Sequence, residues 1–373
     1  MAYIGKDEYI FRSEKNTIYS IQVLRGVAAV LVVLYHATRF FSALYQVSPL
    51  GGFFLFGFSG VHLFFVLSGF IIFTIHFHDI GKPIRYLPYI IKRFIRIYPN
   101  YWVTLSILSF WVMFTGSTIT IQDFYQNMSL MKGPNIWVNP VCWTLVFEVL
   151  FYIIFSFLII NKIFGGIIIF CWVLGVAATN LFDLQYSFFS FLNIAFHKYT
   201  VLFMIGVVVS YVVMRLKQLK PVTGNKISYT ACLGGLFVFS FTAVYCFLYK
   251  ITNWDLWIVT LGFGLASGCF MTCVLSDTLE RLFQRQNLLT SLGDASYSIY
   301  LLHYIFLREV ISYSKSHFSM SEPTTITLAF IAVCAMAVLV GWLFYFSIER
   351  PLLKFMQRWL STGRTLDKTA RPV

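Results

Sequence analysis

The apolar segment IQVLRGVAAVLVVLYHATRF carries two ionisable residues, Arg25 and His36. Eleven residues at 100° each put them on one helical face, roughly 16 Å apart along the axis. That span is comparable with an extended pantetheine arm, so the arginine can hold a phosphate or the arm while the imidazole meets a thioester. Ionisable side chains inside apolar spans are functional candidates by default, although Arg25 can also snorkel to inner headgroups and His36 to the outer interface.

Depth brings in Glu148. Counted from an inner end near Ile18, His36 lies about 27 Å up a core about 30 Å thick, and Glu148, entering from the far side near Trp143, lies about 7 Å down. Within the error of the span boundaries the two can meet, and a carboxylate there can fix the tautomer of an imidazole that acts as general base toward a hydroxyl. A protonated Glu148 bonded to a neighbouring helix is the plainer alternative. In YIIKRFIRIYPNYW, Arg93 and Arg96 are three residues apart and share a helical face. Such a pair can clamp phosphate in forked hydrogen bonds, or simply anchor the chain at the inner surface. In GVHLFFVLSGF, Ser68 and the glycine beside it permit close helix approach, and His62 there and His303 in SYSIYLLHYIF are candidate cavity residues or satisfied core histidines. The other histidines do not cluster as ligands, so no metal is expected. With no G-x-S-x-G, Walker or Rossmann pattern, direct transfer to a hydroxyl needs fewer special residues than an acyl-enzyme.

The elements that must position these residues are membrane helices. Of 373 residues, 58% are hydrophobic and 12% charged, and the mean hydropathy of +0.76 does not describe a soluble chain. Apolar runs of spanning length begin near Ile18, Phe53, Tyr98, Trp143, Ile163, Phe196, Tyr229, Trp254, Ala295 and Thr325. The fourth and fifth are separated only by Asn161 and Lys162, so they form a tight hairpin or one is partly re-entrant. With ten spans, 21 of the 28 Lys and Arg fall on the side of the termini against six on the other, which places both termini in the cytoplasm. The net charge of +13 is thereby explained without nucleic acid. The chain reads as an all-α, polytopic integral membrane protein: a cytoplasmic tail over 1–17, too charged for a signal peptide, a transmembrane domain over 18–350, and a basic cytoplasmic tail over 351–373.

Arg25 and His36 at their spacing, GVHLFFVLSGF, KRFIRIYP, WTLVFEVLFY with Glu148, LGDASYSIYLLH and SIERP, in that order from about Tyr19 to Pro351, resemble the acyltransferase 3 family of bacterial membrane proteins. The resemblance implies acyl-CoA, acetyl-CoA in the usual case, as donor and a lipid-linked or surface glycan as acceptor, such as O-antigen or capsule, in the inner membrane. Arg25, His36, Arg93 and Arg96 match the residues thought essential there, and Glu148 follows less securely. Position 62 departs from the pattern, since many members have Asp where this chain has His. With a short tail after the last span, the chain is expected to be of the stand-alone type, without a fused esterase-like domain. A glycan or anion transporter would share the spans and buried charges, but it predicts pseudo-symmetric halves with interrupted helices, and the sequence shows neither.

Overall fold

A computed structural model describes residues 18–115, 119–130, 138–182, 184, 190–218, 221–251, 254–318 and 322–369, without side chains at 190–192 and after 359. The expected tail over 1–17 lies outside the described residues. Helices and turns account for the described chain: α1 Tyr19–Tyr45, α2 Ser59–His76, α3 Tyr86–Phe114, α4 Ile121–Ser129, α5 Trp143–Ile160, α6 Lys162–Leu181, α7 Ser190–Ala195, α8 Thr200–Leu216, α9 Pro221–Leu248, α10 Trp257–Met271, α11 Asp277–Gln284, α12 Asn287–Asp294, α13 Ser296–His317, α14 Pro323–Phe344 and α15 Arg350–Thr369. A 3-10 run, Pro49–Phe58, leads into α2, and a π-helical turn, Tyr345–Glu349, joins α14 to α15.

Among the described residues, eight stretches are long and apolar enough to cross a membrane. The expected third and ninth spans exist as helices, α3 and α13, but fall outside that set. Lys92, Arg93, Arg96 and Asn100 dilute α3, and His303, Arg308 and Glu309 dilute α13. Both helices carry residues of the site described below. The tail expected after residue 350 is helical to Thr369.

Close crossings hold the bundle in register. A Cβ on Gly69 would stand 2.1 Å from the Phe203 carbonyl oxygen, and one on Gly206 2.1 Å from that of Val66, so α2 and α8 touch backbone to backbone as small residues allow. The α5–α6 connection is the hairpin alternative: the Asn161 side chain accepts from the amides of Ile163 and Phe164 at 2.9 and 3.1 Å, capping α6, and a Cβ on Gly165 would stand 2.4 Å from the Leu158 nitrogen. The helix carrying Arg25 is fixed at its start from a distance. The amides of Tyr19 and Ser20 donate to the Glu280 carboxylate of α11 at 2.9 and 3.2 Å, supplying a cap that Ile18 lacks. One apolar core packs α2, α5 and α8 around Phe70, Phe151 and Phe203, and a second packs α1, α13 and α14 around Val33, Ile299 and Phe330. Outward-facing residues such as Phe170 on α6 and Phe237 on α9 are exposed, as lipid-facing positions are.

Candidate active site

A cavity of about 150 Å³ lies between α1, α2, α3, α5 and α13, and Arg25, Arg93, Arg96, Glu148, Ser68 and Tyr300 are among its lining residues. Five of the eight candidate residues from the sequence thus share one wall system. Room for about five waters is enough for one or two phosphate groups and not for a whole nucleotide.

Each cation is held by a different device. Arg96 donates to the Glu349 carboxylate at 3.3 Å, and Ser298 donates to the other oxygen of that group at 2.5 Å. Glu349 is fully buried and comes from the π-helical turn, a form often found at functional sites. Arg93 donates to His76 Nε2 at 3.2 Å, while His76 Nδ1 donates to Asp79 at 2.9 Å, the carboxylate fixing the tautomer that leaves Nε2 as acceptor. The Arg93 guanidinium also lies over the rings of Tyr89 and Tyr152, 5.8 and 5.7 Å from their centroids. Arg25 donates to Gln22 on its own helix at 3.3 Å. Its position depends on α12, since a Cβ on Gly293 would stand 1.9 Å from the Gln22 carbonyl oxygen. At the end of α12, burial raises the Asp294 carboxyl above its usual range, with Arg25, Arg96 and Arg350 pulling it back down. Glu148 accepts from Ser68 Oγ at 3.2 Å and from the Tyr152 hydroxyl.

Glu148 therefore sits level with Arg25, and the meeting with His36 that the depth count allows does not occur. The segment before α5 is sunk in protein: Asn139, Val141 and Cys142 are buried, Asn139 donates to the Leu301 carbonyl at 2.6 Å, and Thr144 bonds the Tyr300 hydroxyl at 2.8 Å. Non-helical backbone at that depth is tolerated because protein surrounds it, so Trp143 does not mark the membrane surface from which depth was counted.

His36 stands above the cavity. Gly57 and Gly60 press on the carbonyls of Leu31 and Ala28, which puts the upper rim at Val61 near the level of Ala28 and His36 about 12 Å higher at 1.5 Å per residue. Its ring neighbours are Tyr35, His303 and Tyr304, with centroids 4.9, 5.3 and 5.0 Å away. His303 Nδ1 lies 2.7 Å from the Tyr300 carbonyl oxygen, so that nitrogen carries the proton and Nε2 keeps its lone pair. Tyr300 lines the cavity and its ring centre is 5.6 Å from that of His303. The step from Arg25 to His36 thus runs through Tyr300 and His303. His62 lies elsewhere, fully buried against Phe58, Tyr199 and Phe263. No group of three or more possible metal ligands occurs among the described residues.

Sequence reasoning misses two partners. Glu349 lies in SIERP, a motif whose family likeness gives its carboxylate no role, and His76 reads as a residue in or near a loop. The carboxylate's place inside an apolar stretch is the available signal.

The family model described as Acyltransferase domain matches residues 18–346. This chain belongs to the acyltransferase 3 family. It is also 26% identical, over 323 residues, to the "Exopolysaccharide production protein ExoZ" of Rhizobium meliloti strain 1021, covering 82% of this chain and 92% of the relative. No solved structure matches. The acyltransferase match ends three residues before Glu349, so the carboxylate that holds Arg96 lies beyond the matched stretch.

Proposed function

We propose that this acyltransferase takes an acyl group, acetyl in the simplest case, from cytoplasmic acyl-CoA and esterifies a sugar hydroxyl of an envelope glycan such as O-antigen or capsule. The carrying observation is the cavity in which Arg25, Arg93, Arg96 and Glu148 converge from three helices. Three guanidiniums around one small space suit a phosphorylated donor, and the name of the Rhizobium relative supports a polysaccharide acceptor. Ten crossings, with α3 and α13 included and both termini cytoplasmic in the inner membrane, fit the charge bias of the loops.

In this reading the arginines hold the donor's phosphates at the lower end and the arm rises toward His36. Tyr300 is in the way. Turning its ring aside gives up neutral hydrogen bonds worth about 0.5–1.5 kcal/mol each, a small cost beside an acyl-transfer barrier. His36 then takes the hydroxyl proton as the alcohol oxygen attacks the thioester carbonyl. The C–O bond forms, the C–S bond breaks, and the proton passes to the departing thiolate.

Mass spectrometry of envelope glycans from cells with the gene, without it, and with His36→Ala checks this assignment. The acyl mark is expected to vanish without the gene and to fall about 100-fold or more in the variant. Normal acylation by a folded, membrane-inserted His36→Ala protein contradicts it.

A further inference from the structure

A second pocket, of about 380 Å³, opens at the other end of the bundle, and Trp143, Trp254, Tyr199, Phe58, His197 and Asp255 line it. Phe58, Trp143, Tyr199 and Trp254 lie at or just before the starts of α2, α5, α8 and α10. That end is opposite the arginines, because α2 finishes at His76 against Arg93.

The lining has two parts. One is a set of ring faces: Phe58 stacks on Trp254 with centroids 5.5 Å apart, and Trp143 lies 5.7 Å from Tyr199. The other is a polar pair with defined roles. The Tyr199 amide donates to His197 Nδ1 at 3.3 Å, so in the neutral ring the proton sits on Nε2. That nitrogen lies 4.0 Å from Asp255 Oδ2, too far for a direct hydrogen bond, yet a hydroxyl oxygen can sit at about 2.8 Å from both. Such a hydroxyl donates to the carboxylate and accepts from the imidazole. Asp255 already takes a hydrogen bond from the Tyr199 side chain, and with its side chain 48% exposed the carboxylate keeps acceptor capacity that a ligand can reach.

A pyranose offers both complements, an apolar C–H face for the rings and a hydroxyl for the pair. A fatty chain has no use for the pair, and an acidic sugar would meet the Asp255 charge. The pocket also adjoins the proposed base: Tyr35 lies 5.5 Å from Phe58, 5.9 Å from Trp254 and 4.9 Å from His36, ring centre to ring centre. We infer that this aromatic pocket is the acceptor subsite, holding a neutral pyranose by stacking on Trp254 and Trp143 and by one hydroxyl shared between His197 and Asp255. The inference rests on the glycan-acceptor reading above.

The test uses the full chain in lipid nanodiscs, since maltoside detergents are themselves pyranosides. Saturation-transfer NMR with methyl β-D-glucopyranoside, methyl β-D-galactopyranoside and methyl α-D-mannopyranoside as probes is expected to show transfer to at least one of them. That signal should fall about tenfold in Trp254→Ala and in Asp255→Asn, and persist in Trp254→Phe. Coenzyme A should raise the melting temperature of wild type and all three variants alike, which certifies their fold and the arginine cavity. No transfer to any probe in wild type, or equal transfer in wild type and the two disruptive variants, overturns the subsite. If the coenzyme A shift persists in that case, the donor reading stands without the pocket. Variant-sensitive sugar transfer with no coenzyme A shift supports the subsite and removes the donor reading instead.

Discussion

The arginine cavity and the aromatic pocket occupy opposite ends of the bundle and solve their electrostatics differently. At the arginine end, half-buried cations are answered by fixed partners: the fully buried Glu349, from far along the chain, for Arg96, and the nearer Asp79–His76 pair for Arg93. At the aromatic end, the charged group is half exposed to the outside, and neutral ring faces make most of the lining. The contrast teaches where the scaffold is rigid. A buried charge needs its partner in place before any ligand arrives, whereas an open aromatic surface needs only shape.

Breaking partners at each end measures that contrast. Glu349→Ala leaves Arg96 and Ser298 without their acceptor, and a loss of about 2–3 kcal/mol in unfolding free energy is expected, read as a lowered melting temperature in nanodiscs. Ser68→Ala removes one of the two hydroxyls bonded to Glu148 while Tyr152 keeps the other, so about 1 kcal/mol is expected. Asp255→Ala, at the more exposed end, gives up the hydrogen bond from Tyr199 and should cost no more than about 1 kcal/mol. A loss in Asp255→Ala equal to that in Glu349→Ala would erase the distinction between the two ends.

The helical plan was legible because spanning helices announce themselves by length and apolarity. The expected start at Trp143 coincides with the start of α5, and α3 and α13 are found by pattern although polar residues keep them below the apolarity of the other spans. Arg25, Arg93, Arg96, Glu148 and Ser68 were legible as candidates for the same physical reason: a charge or small polar group in an apolar run needs an explanation. Which of them share a space was not. Depth counting assumes that helix ends lie at the membrane surface, and the buried segment before Trp143 violates that assumption, lowering Glu148 to the level of Arg25. Glu349 and Glu280 act on residues more than 250 positions away, a pairing that no periodicity in one sequence encodes. The aromatic pocket was hidden because its rings come one or two at a time from four separate helix starts.

The most direct measurement is equilibrium binding of radiolabelled coenzyme A to the protein in nanodiscs. Wild type is expected to bind, and Arg25→Gln and Arg93→Gln to bind about 10- to 100-fold more weakly, the loss of one charge-assisted contact each. Arg215→Gln, an exposed cation at the end of α8, should stay within about twofold of wild type. Unchanged affinity in Arg25→Gln and Arg93→Gln would show that the cavity between α1 and α3 does not hold the donor.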